Sequence, residues 1–200
     1  MFIRHDGRGL VERWQVDFPA YYTQQEAALY ARPFAHLQKQ NGSASAAWWV
    51  NPQANDGLRR ALARADRFLV TPIAAARPAW SWVQAGRLPD ASLLVFARDD
   101  DFTHAVLSSR FFEVWWTAHH SPDRPVPAAA AFPFPWAPER SLGSLNSVQQ
   151  NQRQEAARAA RSGDRKHVDS VVAAAYGWPA EVDESDLVSK LEGLHSERNI

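Results

Sequence analysis

Apolar positions in this chain recur at two periods, and each change of period marks a change of element. Trp14, Val16 and Phe18 alternate with polar neighbours over 12–18, which predicts a strand with one buried face. Thr23 followed by Glu26 predicts a capping box and a helix from about Gln24. Pro33, lacking an amide, predicts a bend or break near Arg32, with Phe34 and Leu37 on a second segment. Asp56 predicts the cap of a helix over 57–67, with Leu58, Ala61, Leu62 and Ala65 on one side. Residues 68–71, 79–83 and 92–98 then read as three strands, the last preceded by a turn at Pro89 and Asp90.

Asp99, Asp100 and Asp101 follow the third strand, where carboxylates satisfy the open amides of a helix start and favour its dipole. The period changes to helical there. Leu107, Phe111, Val114, Trp115 and Ala118 share one face, predicting a single amphipathic helix packed on the strand before it. Residues 119–131, rich in Pro and Ala, read as a loop, and the Phe132-Pro133-Phe134-Pro135 string as an extended linker. Beyond it, 147–161 is rich in Gln, Ala and Arg and predicts an exposed helix that Gly163 breaks. A helix over 168–176 ends at Gly177, and Asp183 caps a last one carrying Leu187, Leu191 and Leu194. The expected class is α+β: a mixed sheet with packed helices over 1–137, then a small helical segment over 138–200.

Composition narrows the picture. With 46% hydrophobic and 12% aromatic residues, 200 residues can build a real core. No apolar run approaches the roughly 20 residues of a membrane helix, and the first ten residues hold no signal-like apolar stretch, so a cytoplasmic home without membrane contact is expected. Cysteine is absent, which excludes disulfides and thiolate metal sites. Net charge is zero, but residues 1–87 hold 11 Arg and Lys against 6 Asp and Glu. Arg60, Arg64 and Arg67 would form a basic stripe on the 57–67 helix, with Arg59 beside it and Arg77 beyond. Such a stripe suits phosphate tracking, and a plainly solvated face fits equally well. The Asp99–Asp101 triplet also invites a magnesium-nuclease reading, but no lysine occurs between Lys39 and Lys166 to complete that pattern. The Trp48–Trp49 pair suits base stacking or a core, and the core reading is taken.

Several strings carry a more specific resemblance. Leu88-Pro89-Asp90, Ala97-Arg98-Asp99-Asp100-Asp101-Phe102, Leu107-Ser108-Ser109-Arg110-Phe111 and Glu113-Val114-Trp115 stand at its centre. Trp14 with Val16-Asp17-Phe18, Glu26 to Tyr30 before Pro33-Phe34, Trp48-Trp49, Thr71-Pro72, Phe132 to Pro135 and Val171 to Trp178 flank it in order. Over nearly the whole chain these resemble the target-recognition and C-terminal region of MmeI-like fused restriction-modification adenine methyltransferases. The resemblance implies duplex DNA as partner, with Arg59, Arg60, Arg64, Arg67, Arg77 and Arg124 as candidate contacts. In that family the loop before the Phe-Pro-Phe-Pro string is longer and polar, and it approaches base edges. Here only Arg124 remains there as a plausible reader, and Ala128 to Ala131 offer no side-chain hydrogen bonds.

The family's catalytic signatures are missing. Gly7-Arg8-Gly9 lacks the strand and helix context of an S-adenosylmethionine loop, and Asn51-Pro52-Gln53 lacks the second proline and the aromatic of the catalytic motif. No cofactor is therefore expected in this chain, S-adenosylmethionine belonging to a catalytic partner. Two readings stay open: a recognition fragment that positions a separate methyltransferase part on DNA, or an interaction remnant that docks to a methyltransferase subunit without touching DNA.

Overall fold

The computed structural model describes residues 1–41, 47–51, 55–121, 125–136 and 144–198. The fold is α+β, with two small sheets and helices packed against one of them. β1 (Phe2–His5) and β2 (Leu10–Arg13) form an antiparallel hairpin in which Phe2 faces Arg13 and His5 faces Leu10. Its turn uses Gly7 at φ 89°, a left-handed conformation that glycine adopts without strain. The Asp6 carboxylate accepts the Arg8 and Gly9 amides at 2.9 and 3.1 Å. β5 (Leu88–Pro89) joins β1 in parallel on its other edge.

The strand expected over 12–18 lies earlier than its alternation suggested. The ladder with β1 ends at Arg13, so the residues that follow leave the sheet. Trp14 is 87% exposed, while Phe18 turns into a small cluster with Ala27 and Leu37. That cluster is held by α1 (Gln24–Ala28) and α2 (Ala31–Asn41). Thr23 and Glu26 close the expected capping box. The break between the helices comes at Leu29 and Tyr30, and Pro33 sits in the first turn of α2, where its missing amide costs no intrahelical bond. Trp48 and Trp49 are half-buried against this cluster, Trp48 at 4.8 Å from the Phe34 ring, and the Trp49 indole donates to the Tyr22 carbonyl at 2.9 Å.

α3 (Asp56–Leu62) is capped by Asn55, not by Asp56, and it ends five residues before Arg67. β3 (Arg67–Pro72) takes Arg67 as its first residue, so Arg60, Arg64 and Arg67 do not form one helical stripe. The strand prevails because its interior is the most deeply buried part of a sheet ordered β4-β3-β6. β4 is Ser81–Gln84 and β6 is Leu93–Phe96. Phe68, Leu69 and Val70 are fully buried and alternate between faces. Phe68 and Val70 meet Ile3, Leu62, Val83 and Leu93, while Leu69 meets the helical layer.

That layer opens with α4 (Asp101–Ser108), whose start is capped by Asp100 accepting the Thr103 amide at 2.8 Å, as the acidic triplet predicted. The single helix expected to follow is two. Ser109, at ψ 162°, separates α4 from α5 (Arg110–His119), and the Arg110 amide donates to the Asp169 carboxylate at 2.7 Å. The remaining helices are α6 (Pro125–Ala130), α7 (Ser147–Ser162), α8 (Arg165–Tyr176) and α9 (Glu184–Arg198). Residues 125–130, expected as loop, are helical because Ala128 and Ala129 bury against Trp115, whose indole donates to the Ala128 carbonyl at 2.8 Å. α7 is less exposed than its composition suggested. Ala156 and Ala159 are fully buried, their small side chains letting the helix lie close on α4.

One apolar cluster joins Val106, Phe112 and Trp116 to Phe132, Val172, Leu187 and Leu191. The Phe-Pro string runs through it. The Tyr176 hydroxyl donates to the Pro133 carbonyl at 2.8 Å, and Trp136 stacks on Phe102 at 4.6 Å.

Candidate nucleic-acid interface

A groove of about 390 Å³ lies between the start of β3, the acidic turn before α4, and one side of α7. β3 supplies Arg67, whose guanidinium donates to Asp101 at 2.6 Å and to the Asp99 carbonyl at 3.2 Å. The same group lies 3.8 Å from the centre of the Trp82 ring, so a charge and an aromatic face fix it together. The second oxygen of Asp101 accepts from Arg161 of α7. One carboxylate thus ties three elements.

On α7, Arg153, Ala157, Arg158 and Arg161 fall within about 140° of one another at the helical repeat. All four line the groove. Alanine at the middle of this face keeps the groove open. Among the described residues Arg153 and Arg158 have no carboxylate partner, and the Arg153 Nε is shielded from solvent without a hydrogen bond. The acids opposite are largely engaged. Asp101 holds two arginines, and Asp100 caps α4 and pairs with Arg98 at 3.0 Å. Desolvation pushes the Asp100 carboxyl upward, but the Thr103 amide and the Arg98 charge outweigh it and leave its pKa below the ordinary range. Four guanidinium groups face three carboxylates, and among the described residues two of the four have no acid to neutralise them and can take an anion from outside.

The arginines named from sequence are distributed differently. Arg59 pairs with Asp17 at 2.6 Å, a bond that raises its pKa further. Arg60 and Arg64 are exposed, one near the end of α3 and the other just past it. Arg77 is highly exposed and reaches Glu113 at 3.3 Å, a carboxylate that also holds Arg165. Arg124 lies outside the described residues. Of those that are described, only Arg67 enters the groove, and there it meets Arg153, Arg158 and Arg161, which the sequence did not single out. The signal for them was present in the spacing of Arg153, Arg158 and Arg161. The lack of large apolar residues around them hid the fact that α7 has a packed side to orient them.

No protein-family model matches the sequence, and no curated protein matches it. Among solved structures, the fold is similar to the type IIL restriction-modification enzyme MmeI, determined in complex with DNA. The two superpose with a TM-score of 0.52 at 12% identity, over 90% of this chain and 28% of the enzyme. At that identity the likeness establishes a related fold, and the chain spans about 28% of the protein it matches.

Proposed function

We propose that this chain is a DNA target-recognition fragment of a restriction-modification adenine methyltransferase, seating a separate S-adenosylmethionine-dependent part on duplex DNA. The observation that carries this reading is the groove in which Arg153 and Arg158 stand, among the described residues, without acidic partners beside the anchored Arg67 and Arg161. Guanidinium groups so placed contact backbone phosphates, and each contact adds affinity by releasing counterions. Arg60, Arg64 and Arg77 extend the contact from exposed positions, Arg59 supports α3 through Asp17, and Arg124 is retained as a base contact. In this reading the interface draws on both the 1–137 recognition part and the 138–200 helical segment. The related fold of an enzyme solved with DNA supports the same partner.

A second reading has its own observation. Ala128 and Ala129 are buried in α6, so residues 125–130 form a packed helix where the resemblance implied a base-reading loop. That favours an interaction remnant docking to a methyltransferase subunit. Fluorescence anisotropy with labelled duplexes at low and moderate salt separates the two. Salt-sensitive binding that weakens in an Arg153→Ala, Arg158→Ala double variant supports the DNA reading, and absence of binding at low salt supports the remnant.

A further inference from the structure

The chain holds nine tryptophans, and eight are buried or half-buried. Trp14 is the exception at 87% exposure. It does not stand on a bare surface: it lines a groove of about 760 Å³, within the range of roughly 300–1,000 Å³ usual for small-ligand sites. This groove shares no lining residue with the arginine groove at α7. Arg13, Gln15, His36, Gln40 and Asn41 line the same groove, with Val16 and Leu37 as its apolar part. One wall is the segment leaving β2, and the other is the last part of α2.

The lining chemistry is selective. Among the described residues no carboxylate borders the groove, so Arg13 faces it without an acid of its own. Three carboxamides supply both donors and acceptors, which is what the edge of a nucleobase requires. An aromatic face, a guanidinium and amides together match a nucleotide whose base is not stacked in a duplex. A paired base keeps its faces covered and cannot lie on an indole.

We propose that Trp14 is the stacking platform of a single-stranded DNA site, with Arg13 contacting the adjoining phosphate and Gln40 and Asn41 the base edge. The site lies beyond the duplex contact proposed for α7 and does not need it. It suits a strand displaced or opened next to the duplex that α7 grips.

The test is anisotropy of a labelled single-stranded oligothymidylate with the whole chain and with Trp14→Ala, Trp14→Phe and Arg153→Ala, Arg158→Ala variants. Base stacking on an aromatic predicts about tenfold weaker strand binding for Trp14→Ala, with Trp14→Phe recovering most of the loss. Exposure of Trp14 means the variant keeps the fold, which circular dichroism verifies. The double arginine variant loses duplex affinity yet keeps the full effect of Trp14 on the strand, so failure of one site is visible apart from the other. Equal strand affinity for wild type and Trp14→Ala overturns the proposal. So does capture of a methyltransferase chain through Trp14 by a protein that binds no strand.

Discussion

Arg67 and Asp101, 34 residues apart, meet at 2.6 Å and close one wall of the arginine groove. Arg161 holds the other Asp101 oxygen from a distance of 60 residues, so a strand, a helix start and a helix side depend on one carboxylate. Arg67 also lies over Trp82. Arg67→Ala therefore costs about 2 kcal/mol in urea unfolding, combining a charged hydrogen bond and a cation–π contact. Exposed Arg60→Ala serves as the contrast and changes stability by less than about 0.5 kcal/mol. Equal effects for the two would show that the anchored geometry contributes nothing.

The alanine run before Phe132 separates a core helix from a reading loop. Ala129 is 3% exposed and Ala130 is exposed. Ala129→Gln should lower stability by about 2 kcal/mol or more, since it forces a polar side chain into a packed site. Ala130→Gln should leave it nearly unchanged. Thermal unfolding of the two variants checks this, and equal tolerance would place the run on the surface after all.

Local chemistry was legible where a residue acts on its own backbone. Asp100 caps α4, Thr23 and Glu26 close their box, and Gly163 and Gly177 end helices at φ 72° and 73°. What the sequence hid depends on partners far along the chain. Residues 63–67 hold nothing that forbids a longer α3; the demand of Phe68 to Val70 for a buried strand takes Arg67 away from it. Ser109 breaks the central helix with Asp169 accepting the amide that follows. α7 read as exposed because its buried face is made of alanines, whose contribution is closeness and not area. Trp14 alternated with Val16 and Phe18 as a strand would, yet the β1 ladder ends before it.

His104 gives the core beside the groove a pH signature. Its pKa lies below the ordinary 6.5, chiefly through desolvation, with the Arg67 charge adding to the effect and Asp101 and the Trp80 backbone opposing it. The unfolded chain therefore takes up this proton at higher pH than the folded one. Stability from this residue is complete above about pH 6.5, falls as pH drops toward the lowered folded value, and levels off below it. Replacing His104 by Asn should flatten that decline relative to wild type in urea titrations at roughly pH 7.5 and pH 5.5. An unchanged slope in the variant would remove His104 from the account.

The most direct test of the α7 groove is the salt dependence of duplex binding by wild type and by the Arg153→Ala, Arg158→Ala variant. Each phosphate contact contributes about one unit to the slope of log affinity against log salt. The wild-type chain should bind duplex DNA at low salt with little sequence preference, and the variant should lose about two units of slope while unfolding at the same urea concentration. Identical slopes for the two proteins, or no wild-type binding at low salt, would contradict the assignment of this groove to DNA.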